Sequence, residues 1–234
     1  MKTYFFKLRL PILFTLLTAF CIHSSAQNRK QLFDYDWKFF LGNDSLARRT
    51  DFDDSKWRKL DLPHDWSIEG KIDPKNPMGN DGGYFPAGTG WYRKQFTIPA
   101  TAKGKSISIF FEGAYMNAEV FINGKSLGIY PYGYTSFSYD LSSHLKYGSE
   151  NIIAVKVDNS MQKNSRWYTG SGVYRHVWLL TKPNVHVAQW GVGILTEKVT
   201  RKQADVRITT AVKNESPMAK TVAVKTILLN AGNK

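Results

Sequence analysis

The sequence predicts an all-β protein built as an antiparallel β-sandwich. Short segments in which apolar and polar residues alternate recur from Phe33 onward, and turn residues separate them at regular intervals. No convincing helix interrupts these segments, and strands do not alternate with helices. These observations argue against a βαβ architecture and favour two packed antiparallel sheets. The pattern alone does not separate a jelly roll from an immunoglobulin-like sandwich.

Residues 1–26 have the features of a secretory signal peptide. Basic residues near the N-terminus precede an apolar run from Leu10 to Ile22, and Ser24–Ser25–Ala26 supplies small residues for cleavage. The run is shorter than a membrane span, which needs about 20 residues. We therefore expect an exported protein, periplasmic or extracellular, with no membrane association after cleavage. A lipoprotein anchored at Cys21 is the weaker alternative, because the bulky Phe20 precedes it.

The mature chain is expected to contain no cysteine, because Cys21 is the only one in the sequence. Its core and hydrogen bonds, rather than disulfides, must then stabilise it. The formal net charge of +13 falls to +10 when Lys2, Lys7 and Arg9 are removed with the leader. Basic residues are scattered through strands and turns with no run like a basic arm, which is typical of solvated faces. We therefore expect no nucleic-acid partner.

About eight short strands are predicted between Phe33 and Leu180, each from the alternation of apolar and polar residues. Asn123–Gly124 is a strong hairpin signal between two of them. The strands are defined, in order, by Trp37, Phe39 and Leu41; Gly90 to Ile98; Ile107, Ile109 and Phe111; Ala118, Val120 and Ile122; Leu127 and Ile129; Phe137, Tyr139 and Leu141; Ile153, Val155 and Val157; and Val173 to Leu180.

Two irregular segments separate the first of these strands. One follows Gly42 and is polar, with Phe52 and Trp57 predicted to fill apolar space. The other, residues 67–90, is rich in Gly, Pro, Asn and Asp. A loop of this length in a compact domain is usually functional or disordered.

Four motifs in order across residues 33–182 resemble those of the N-terminal sugar-binding domain of glycoside hydrolase family 2, the group of β-galactosidases, β-glucuronidases and β-mannosidases. They are Leu62–Trp66, Gly90–Phe96, Val120–Gly128 and Arg166–Leu179. The forms Pro-His-Asp-Trp and Arg-Trp-Tyr-x-Gly-Ser-Gly are most similar to the β-galactosidase branch. The resemblance implies that residues 27–182 form a galactose-binding-like jelly roll.

The pattern changes after Thr181–Lys182–Pro183, and the resemblance identifies residues 183–234 as the start of an immunoglobulin-like domain. Strands are predicted from Val185 to Val192, Val206 to Thr210 and Val222 to Leu228. An immunoglobulin-like sandwich needs about seven strands. We therefore expect an incomplete immunoglobulin-like β-sandwich, and we interpret the chain as a fragment or a truncated product.

No pair of carboxylates suited to glycosidic hydrolysis stands out. Asp51, Asp53 and Asp54 lie in a polar connector, and Glu112 and Glu119 lie on or beside strands. In the family that the chain resembles, both catalytic glutamates lie on a barrel domain that this sequence lacks. The whole enzyme is therefore expected to be a retaining exo-glycosidase, and this chain alone to be catalytically silent.

Other chemistries have no signature in the sequence. There is no glycine-rich phosphate loop, no cysteine nucleophile and no pair of histidines at metal-binding spacing, so we expect no cofactor. The separated histidines His64, His144, His176 and His186 are interpreted as structural or surface residues.

The segment Arg166–Gly172 contains the main candidate site. Arg166 lies beside Trp167 and Tyr168, a combination suited to hydroxyl-rich ligands. The resemblance implies that Arg166 reaches into the barrel's pocket, where it would bind adjacent sugar hydroxyls or pair with a barrel carboxylate. Some family members have an aspartate there that helps hold a cation; arginine only donates, so no metal is expected. The alternative is a structural ion pair that anchors the loop.

Trp167 is the aromatic residue that we expect to contact the sugar or the pocket wall. Asn80 and Asp81, in the long loop, are the second candidates for sugar binding, and a solvated turn is their alternative interpretation. Asp65 is predicted to cap local backbone N–H groups, and Trp66 to be an apolar plug. Trp91 and Tyr92 are predicted to pack in the core.

The sequence thus favours the non-catalytic N-terminal part of an exported family-2 glycosidase. Its partners would be the terminal sugar of a glycan and the barrel domain of the same polypeptide, and a homo-oligomer is left open. A stand-alone carbohydrate-binding module is the alternative, and a purely structural exported sandwich is a third reading.

Overall fold

A computed structural model of the chain describes residues 29–229 and Gly232, so the predicted leader at residues 1–26 lies outside the described part. Twelve strands in this part form three sheets, and all neighbouring strands run antiparallel. The strands are β1 (Lys30–Leu32), β2 (Trp37–Leu41), β3 (Arg58–Leu60), β4 (Thr89–Thr97), β5 (Ser106–Phe111), β6 (Ala118–Ile122), β7 (Lys125–Tyr130), β8 (Phe137–Asp140), β9 (Glu150–Asp158), β10 (Val177–Lys182), β11 (Val185–Val199) and β12 (Ala204–Asn214).

Ten of these strands form a jelly-roll sandwich. A six-stranded sheet has the order β3-β2-β4-β9-β6-β7, and a four-stranded sheet has the order β1-β10-β5-β8. The predicted inward rows meet in one core, where Ile109 of β5, Val120 of β6 and Val155 of β9 are fully buried. Each fully buried aliphatic side chain of this kind contributes about 1.5–3 kcal/mol relative to an exposed one. The all-β prediction is confirmed.

The outer face of the six-stranded sheet is covered by the connector between β2 and β3. Ala47 of the connector packs with Trp91 of β4 and Phe121 of β6, and Phe52 and Trp57 pack against this cluster, as predicted. Successive residues of β4 therefore face two different cores, because side chains alternate across a strand. This explains why both Trp91 and Tyr92 are buried.

A buried ion pair fastens this connector to the sheet. Nε of Arg93, which is 1% exposed, donates to Asp54 Oδ2 at 2.8 Å, and Lys38 Nζ donates to Asp54 Oδ1 at 2.5 Å. Arg93 Nη1 also donates to the carbonyl oxygens of Ala47 and Arg49. Burial opposes ionisation of the Asp54 carboxyl, but the hydrogen bonds from Lys38 and Arg93 outweigh it and lower its pKa.

Several predicted boundaries were wrong. The sequence did not predict β1, and the last strand of the jelly roll begins at Val177 rather than at Val173. One α-helical turn, α1 (Trp66–Glu69), follows the motif at residues 62–66, and short 3-10 turns lie at Ser45–Arg48 and Ala100–Ala102. No helix among residues 29–229 is long and apolar enough to cross a membrane.

The chain leaves the jelly roll at the end of β10 and forms a two-stranded sheet of β11 and β12. Trp190 of β11 packs edge-on against Phe110 of β5, with ring centroids 5.8 Å apart. The strand predicted at Val222 to Leu228 is wrong: these residues lie beside β11 and β12 along an apolar groove but form no ladder. The division into domains at 182/183 and the immunoglobulin-like assignment stay predictions.

Candidate functional site

The candidate residues gather at one end of the jelly roll. Thr89 at the start of β4 pairs with Asp158 at the end of β9, and Ala118 at the start of β6 pairs with Tyr130 at the end of β7. The loops that leave these strand ends meet the segments 62–70 and 159–176. Strand β10 begins at this end of the sandwich and leads to β11 at the other end. The candidate site and the point where the chain leaves the sandwich therefore lie at opposite ends.

Asp65 is the anchor of the site. It is the N-cap of α1, and its Oδ1 accepts the backbone N–H of Ser67 at 2.9 Å. The same oxygen accepts the backbone N–H of Ser171 at 2.9 Å, and Oδ2 accepts the hydroxyl of Tyr168. The predicted local cap is therefore confirmed, and the carboxylate also fixes a distant turn. Burial and the Asp65 carboxylate together raise the pKa of the Tyr168 phenol.

Buried polar groups beneath the Gly170–Gly172 turn hold it in place. The Oγ of Ser171, a fully buried residue, accepts a hydrogen bond from Ser67 Oγ at 2.6 Å and one from Asn159 Nδ2 at 2.9 Å. Asn159 Nδ2 also donates to the carbonyl oxygen of Gly170 at 2.9 Å. The turn is thus tied to α1 and to the end of β9 and is rigid before any ligand binds.

His64 is a structural residue, as predicted. The guanidinium of Arg58 lies 2.8 Å from His64 Nε2, and His64 Nδ1 lies 2.8 Å from the Tyr92 hydroxyl. His64 Nε2 also lies 3.2 Å from Glu69 Oε2, but its contact with the guanidinium, which only donates, is shorter. We therefore assign Nε2 as the acceptor, so that Nδ1–H donates to Tyr92. Burial lowers the pKa of His64, although the neighbouring Glu69 carboxylate opposes this effect. The imidazole is therefore held in its neutral form and supports the core beneath the site.

Arg166 and Trp167 lie at the exposed tip of the loop. Within residues 29–229 the Arg166 guanidinium makes no hydrogen bond or ion pair. No carboxylate in this part of the chain therefore supports the alternative that Arg166 anchors the loop through an ion pair. Trp167 is 61% exposed, and its indole N–H donates to the Tyr134 hydroxyl at 3.2 Å. Both side chains are available to a ligand. Their role in sugar binding stays a prediction.

Asn80 and Asp81 meet the same loop through Lys163. Lys163 Nζ donates to Asn80 Oδ1 at 2.9 Å and lies 3.6 Å from Asp81 Oδ2. Its aliphatic chain covers Gly79, where an added Cβ would lie 2.6 Å from Lys163 Cε. The structure therefore links the two candidate loops, but it brings Asn80 and Asp81 to Lys163 and not to Arg166 or Trp167. Sugar contact by Asn80 and Asp81 also stays a prediction.

Asn76 organises the long loop that carries Asn80 and Asp81. Its side-chain amide donates to the carbonyl oxygens of Lys71 at 2.7 Å and Tyr84 at 2.8 Å. The backbone N–H of Asp73 also donates to the Tyr84 carbonyl oxygen. These bonds give the long loop a defined conformation.

Two tyrosines at this end were not predicted from the sequence. Tyr132 and Tyr134 are exposed, and the Tyr134 hydroxyl accepts the indole N–H of Trp167. They lie in a run where Tyr130, Tyr132 and Tyr134 alternate with Pro131 and Gly133. This alternation of rings with turn formers was the available signal. Tyr115 lies beneath them: burial, followed by its hydrogen bond with Tyr134, raises the pKa of Tyr115 to about 12.

The carboxylates considered for catalysis have separate structural partners. Glu112 Oε1 accepts the indole N–H of Trp178 at 2.8 Å, and Glu119 Oε1 accepts the Ser126 hydroxyl at 2.9 Å. No cluster of His, Cys, Asp or Glu suited to a metal ion occurs in the described part of the chain. The expectations of no metal and no cofactor stay predictions.

The chain is a β-sandwich whose end loops are held by buried hydrogen bonds, an arrangement in which β scaffolds commonly present binding residues. The family model of the glycosyl hydrolases family 2 sugar binding domain matches residues 35–183. The chain therefore belongs to glycoside hydrolase family 2, and the family resemblance drawn from the four motifs is confirmed.

Relatives at the sequence level are larger proteins of this family. A β-galactosidase of Bacteroides ovatus is 48% identical over 213 residues, which is 90% of this chain and 25% of the relative. A protein of Formosa agariphila described as a putative β-glucuronidase is 38% identical over 86% of this chain and 19% of its own length. The chain thus spans about a quarter or less of these relatives.

Solved structures of larger glycosidases are also similar to this chain over most of its length. A β-glycosidase from Bacteroides vulgatus has a TM-score of 0.76 and 44% identity, over 81% of this chain and 25% of that one. A Bacteroides uniformis β-glucuronidase has a TM-score of 0.73 and 35% identity, over 80% of this chain and 22% of that one.

Proposed function

We propose that this chain is the non-catalytic, sugar-binding part of an exported β-galactosidase-like glycosidase that hydrolyses terminal β-glycosides. The observation that carries the proposal is the exposed Arg166 guanidinium. It has no partner in the described chain, yet it lies on a loop fixed from below by Asp65. A rigid loop with an unpaired cation at its tip is suited to a ligand or to a domain that completes the site. The matching family model, that of a sugar binding domain, supports a sugar as that ligand.

Catalysis is assigned to a barrel domain of the same polypeptide. Hydrolysis of a glycosidic bond with retention takes a pair of carboxylates about 5–5.5 Å apart. Glu112, which follows β5, and Glu119 of β6 are each engaged elsewhere. The chain then contributes the pocket wall: Arg166 donates to adjacent sugar hydroxyls or to a barrel carboxylate. Trp167 forms the apolar side of the pocket, and Asn80 and Asp81 form a polar side.

Export rests on the N-terminal sequence, whose pattern is that of a signal peptide. Expression with the native N-terminus should deliver a periplasmic or secreted protein that begins at Gln27. N-terminal sequencing of the recovered protein tests this, and retention of Met1 in a cytoplasmic product contradicts it.

The test of the main proposal uses the natural polypeptide that carries this chain. Its hydrolysis of nitrophenyl β-galactoside, β-glucuronide and β-mannoside is measured for the wild type, Arg166→Ala and a control, Arg201→Ala. Arg201 is also exposed but lies between β11 and β12, away from the site. We expect β-galactoside hydrolysis, a loss in kcat/KM of about 10–100-fold for Arg166→Ala only, and unchanged melting temperatures. An inactive wild type, or equal activity of all three proteins, contradicts the proposal.

The exposed rings of Trp167, Tyr132 and Tyr134 also favour the alternative, a carbohydrate-binding module without hydrolytic activity. Calorimetric titration of the 234-residue chain with galactosides separates the two. Binding by the isolated chain with no hydrolysis by the natural polypeptide supports the module, whereas hydrolysis supports the enzyme.

A further inference from the structure

Three exposed aromatic side chains are linked through Tyr134, and one of them, Trp167, is the residue that follows Arg166. Trp167 is 61%, Tyr132 55% and Tyr134 42% exposed. The Trp167 indole N–H donates to the Tyr134 hydroxyl at 3.2 Å, and the Tyr132 and Tyr134 ring centroids are 5.7 Å apart. We call Trp167, Tyr132 and Tyr134 the aromatic cluster.

The aromatic cluster is held from behind. Gly133, between its two tyrosines, is buried, and its carbonyl oxygen accepts the hydroxyl of Tyr174 at 2.8 Å. A Cβ at Gly133 would lie 2.1 Å from the Tyr115 ring, so only glycine fits. The Tyr115 ring also packs edge-on against Tyr134, with centroids 5.1 Å apart. These contacts fix the turn at Gly133 and the Tyr134 ring before a ligand binds, which reduces the entropy lost on binding.

The surface of the aromatic cluster is amphipathic rather than purely apolar. The Tyr132 hydroxyl makes no hydrogen bond with any residue that the structure describes, and the Tyr134 hydroxyl accepts one from Trp167. Rings with polar tips match the surface of a pyranose, which presents C–H groups on its faces and hydroxyls around its edge. An apolar protein surface would leave these hydroxyls unsatisfied.

The loop from Lys163 to Trp167 separates two different neighbourhoods. On one side Lys163 contacts Asn80 and Asp81, which are polar; on the other side Trp167 contacts Tyr134. Arg166 lies between Lys163 and Trp167 in this exposed stretch. The polar side is suited to the hydroxyls of one sugar, and the aromatic side to the face of another.

We propose that the aromatic cluster is a subsite for the second sugar of a glycan, the one to which the terminal sugar is attached. This assignment rests on the proposed function, since the terminal sugar is the one placed against Arg166. Tyr132 and Trp167 stack on the second ring, and Tyr134 orients Trp167. The chain then selects for disaccharide units over simple glycosides.

Tyr132 gives the sharpest test because its ring contacts only Tyr134 among the described aromatic rings. The natural polypeptide, with Tyr132→Ala, Tyr132→Phe and a control Tyr35→Ala, is assayed on methyl β-galactoside and on lactose. Tyr35 is a matched control, with 57% exposure and a position beside Lys94. We expect Tyr132→Ala to lower kcat/KM about 5–20-fold on lactose and less than about twofold on methyl β-galactoside. Tyr132→Phe keeps most of the activity, and Tyr35→Ala keeps all of it.

Two outcomes overturn the subsite. If Tyr132→Ala lowers kcat/KM equally on both substrates and also lowers the melting temperature, the aromatic cluster packs against another domain of the polypeptide instead of a sugar. No loss on either substrate means that the rings contact nothing in the reaction. An inactive wild type overturns the proposed function instead, and the subsite is then decided by titrating the 234-residue chain with lactose. In this titration lactose should shift the NMR resonance of the Trp167 indole proton, and Tyr132→Ala should abolish the shift. That result supports the subsite, whereas the absence of a shift in the wild type overturns the subsite.

Discussion

The backbone N–H of Ser171 donates to Asp65 Oδ1 at 2.9 Å across 106 positions of sequence. The oxygen that caps α1 is therefore also the oxygen that fixes the Gly170–Gly172 turn. Through this one atom the motif at residues 62–66 and the motif at residues 166–179 act as a single structural unit. The candidate loop depends on Asp65 although Asp65 makes no hydrogen bond or ion pair with Arg166 or Trp167 at its exposed tip.

Replacing Asp65 tests this dependence. Asp65→Ala leaves the buried Ser171 N–H, the Ser67 N–H and the Tyr168 hydroxyl without their acceptor, so the free energy of unfolding should fall by about 2–4 kcal/mol. Tyr168→Phe removes only one of these bonds and should cost about 0.5–1.5 kcal/mol. Urea unfolding measures both. Asp205→Ala, at an exposed carboxylate of β12, is the control; an Asp65 variant as stable as this control contradicts the anchor.

Gly172 should not tolerate a side chain. Its φ is +108°, and a Cβ there would lie 2.3 Å from the Tyr92 hydroxyl and 2.8 Å from the His64 carbonyl oxygen. Gly104 has a φ of +83° but open space around it, so Gly104→Ala reports the backbone strain alone, about 1–2 kcal/mol. We expect Gly172→Ala to be destabilised by at least about 2 kcal/mol more than Gly104→Ala, because the clash adds to the strain. Equal losses in chemical denaturation would show that Tyr92 can move aside.

The pair of Arg93 and Asp54 should behave as a buried ion pair. Asp54→Ala leaves the Arg93 guanidinium buried without its carboxylate, so the free energy of unfolding should fall by about 3–5 kcal/mol. Adding Arg93→Met should recover part of this loss, because the double variant buries no charge. The measurement is a double-mutant cycle by denaturant unfolding. Additive losses would mean that the pair does not interact.

His64 should make the protein less stable in mildly acidic solution. Burial lowers the pKa of His64 in the folded state below its unfolded value of about 6.5. Below about pH 6.5 His64 therefore binds a proton more readily in the unfolded chain than in the folded chain. Stability is therefore complete above that pH and falls as the pH drops toward the folded pKa, by up to about 1.4 kcal/mol per pH unit. Unfolding of the wild type and His64→Gln is compared between pH 7 and 5. A slope that His64→Gln leaves unchanged would assign the effect to another group.

The strands of the jelly roll were largely predictable because their signal is local. The alternation of apolar and polar residues around Val120 and Val155 marks the residues that face the core. This local pattern is nearly sufficient to predict a strand in the middle of a sheet. The prediction failed at Val173, whose backbone N–H donates to the Tyr92 hydroxyl instead of to a neighbouring strand. It failed at residues 222–228 because alternation does not ensure a hydrogen-bonded partner.

The candidate site was predictable only in part. The residue types of Arg166 and Trp167 indicated a binding loop, and the local cap at Asp65 followed from its chemistry. The bond from Asp65 to Ser171 and the bridge from Lys163 to Asn80 join distant segments, and no local pattern encodes them. Tyr132 and Tyr134 were missed because a turn rich in Pro, Gly and Tyr does not reveal which rings face solvent.

The order in which the chain is made has a consequence for the site. Asp65 is synthesised early, but its partner Ser171 and the strand after it come near the end of the jelly roll, so closing this contact orders a very long loop. A nascent chain can form the hairpin at Asn123–Gly124 while still on the ribosome, yet it cannot build the binding loop until β10 has emerged. The end that carries the candidate site is thus the last part of the sandwich to mature, and a chain interrupted before Val177 should have an intact hairpin but no candidate site.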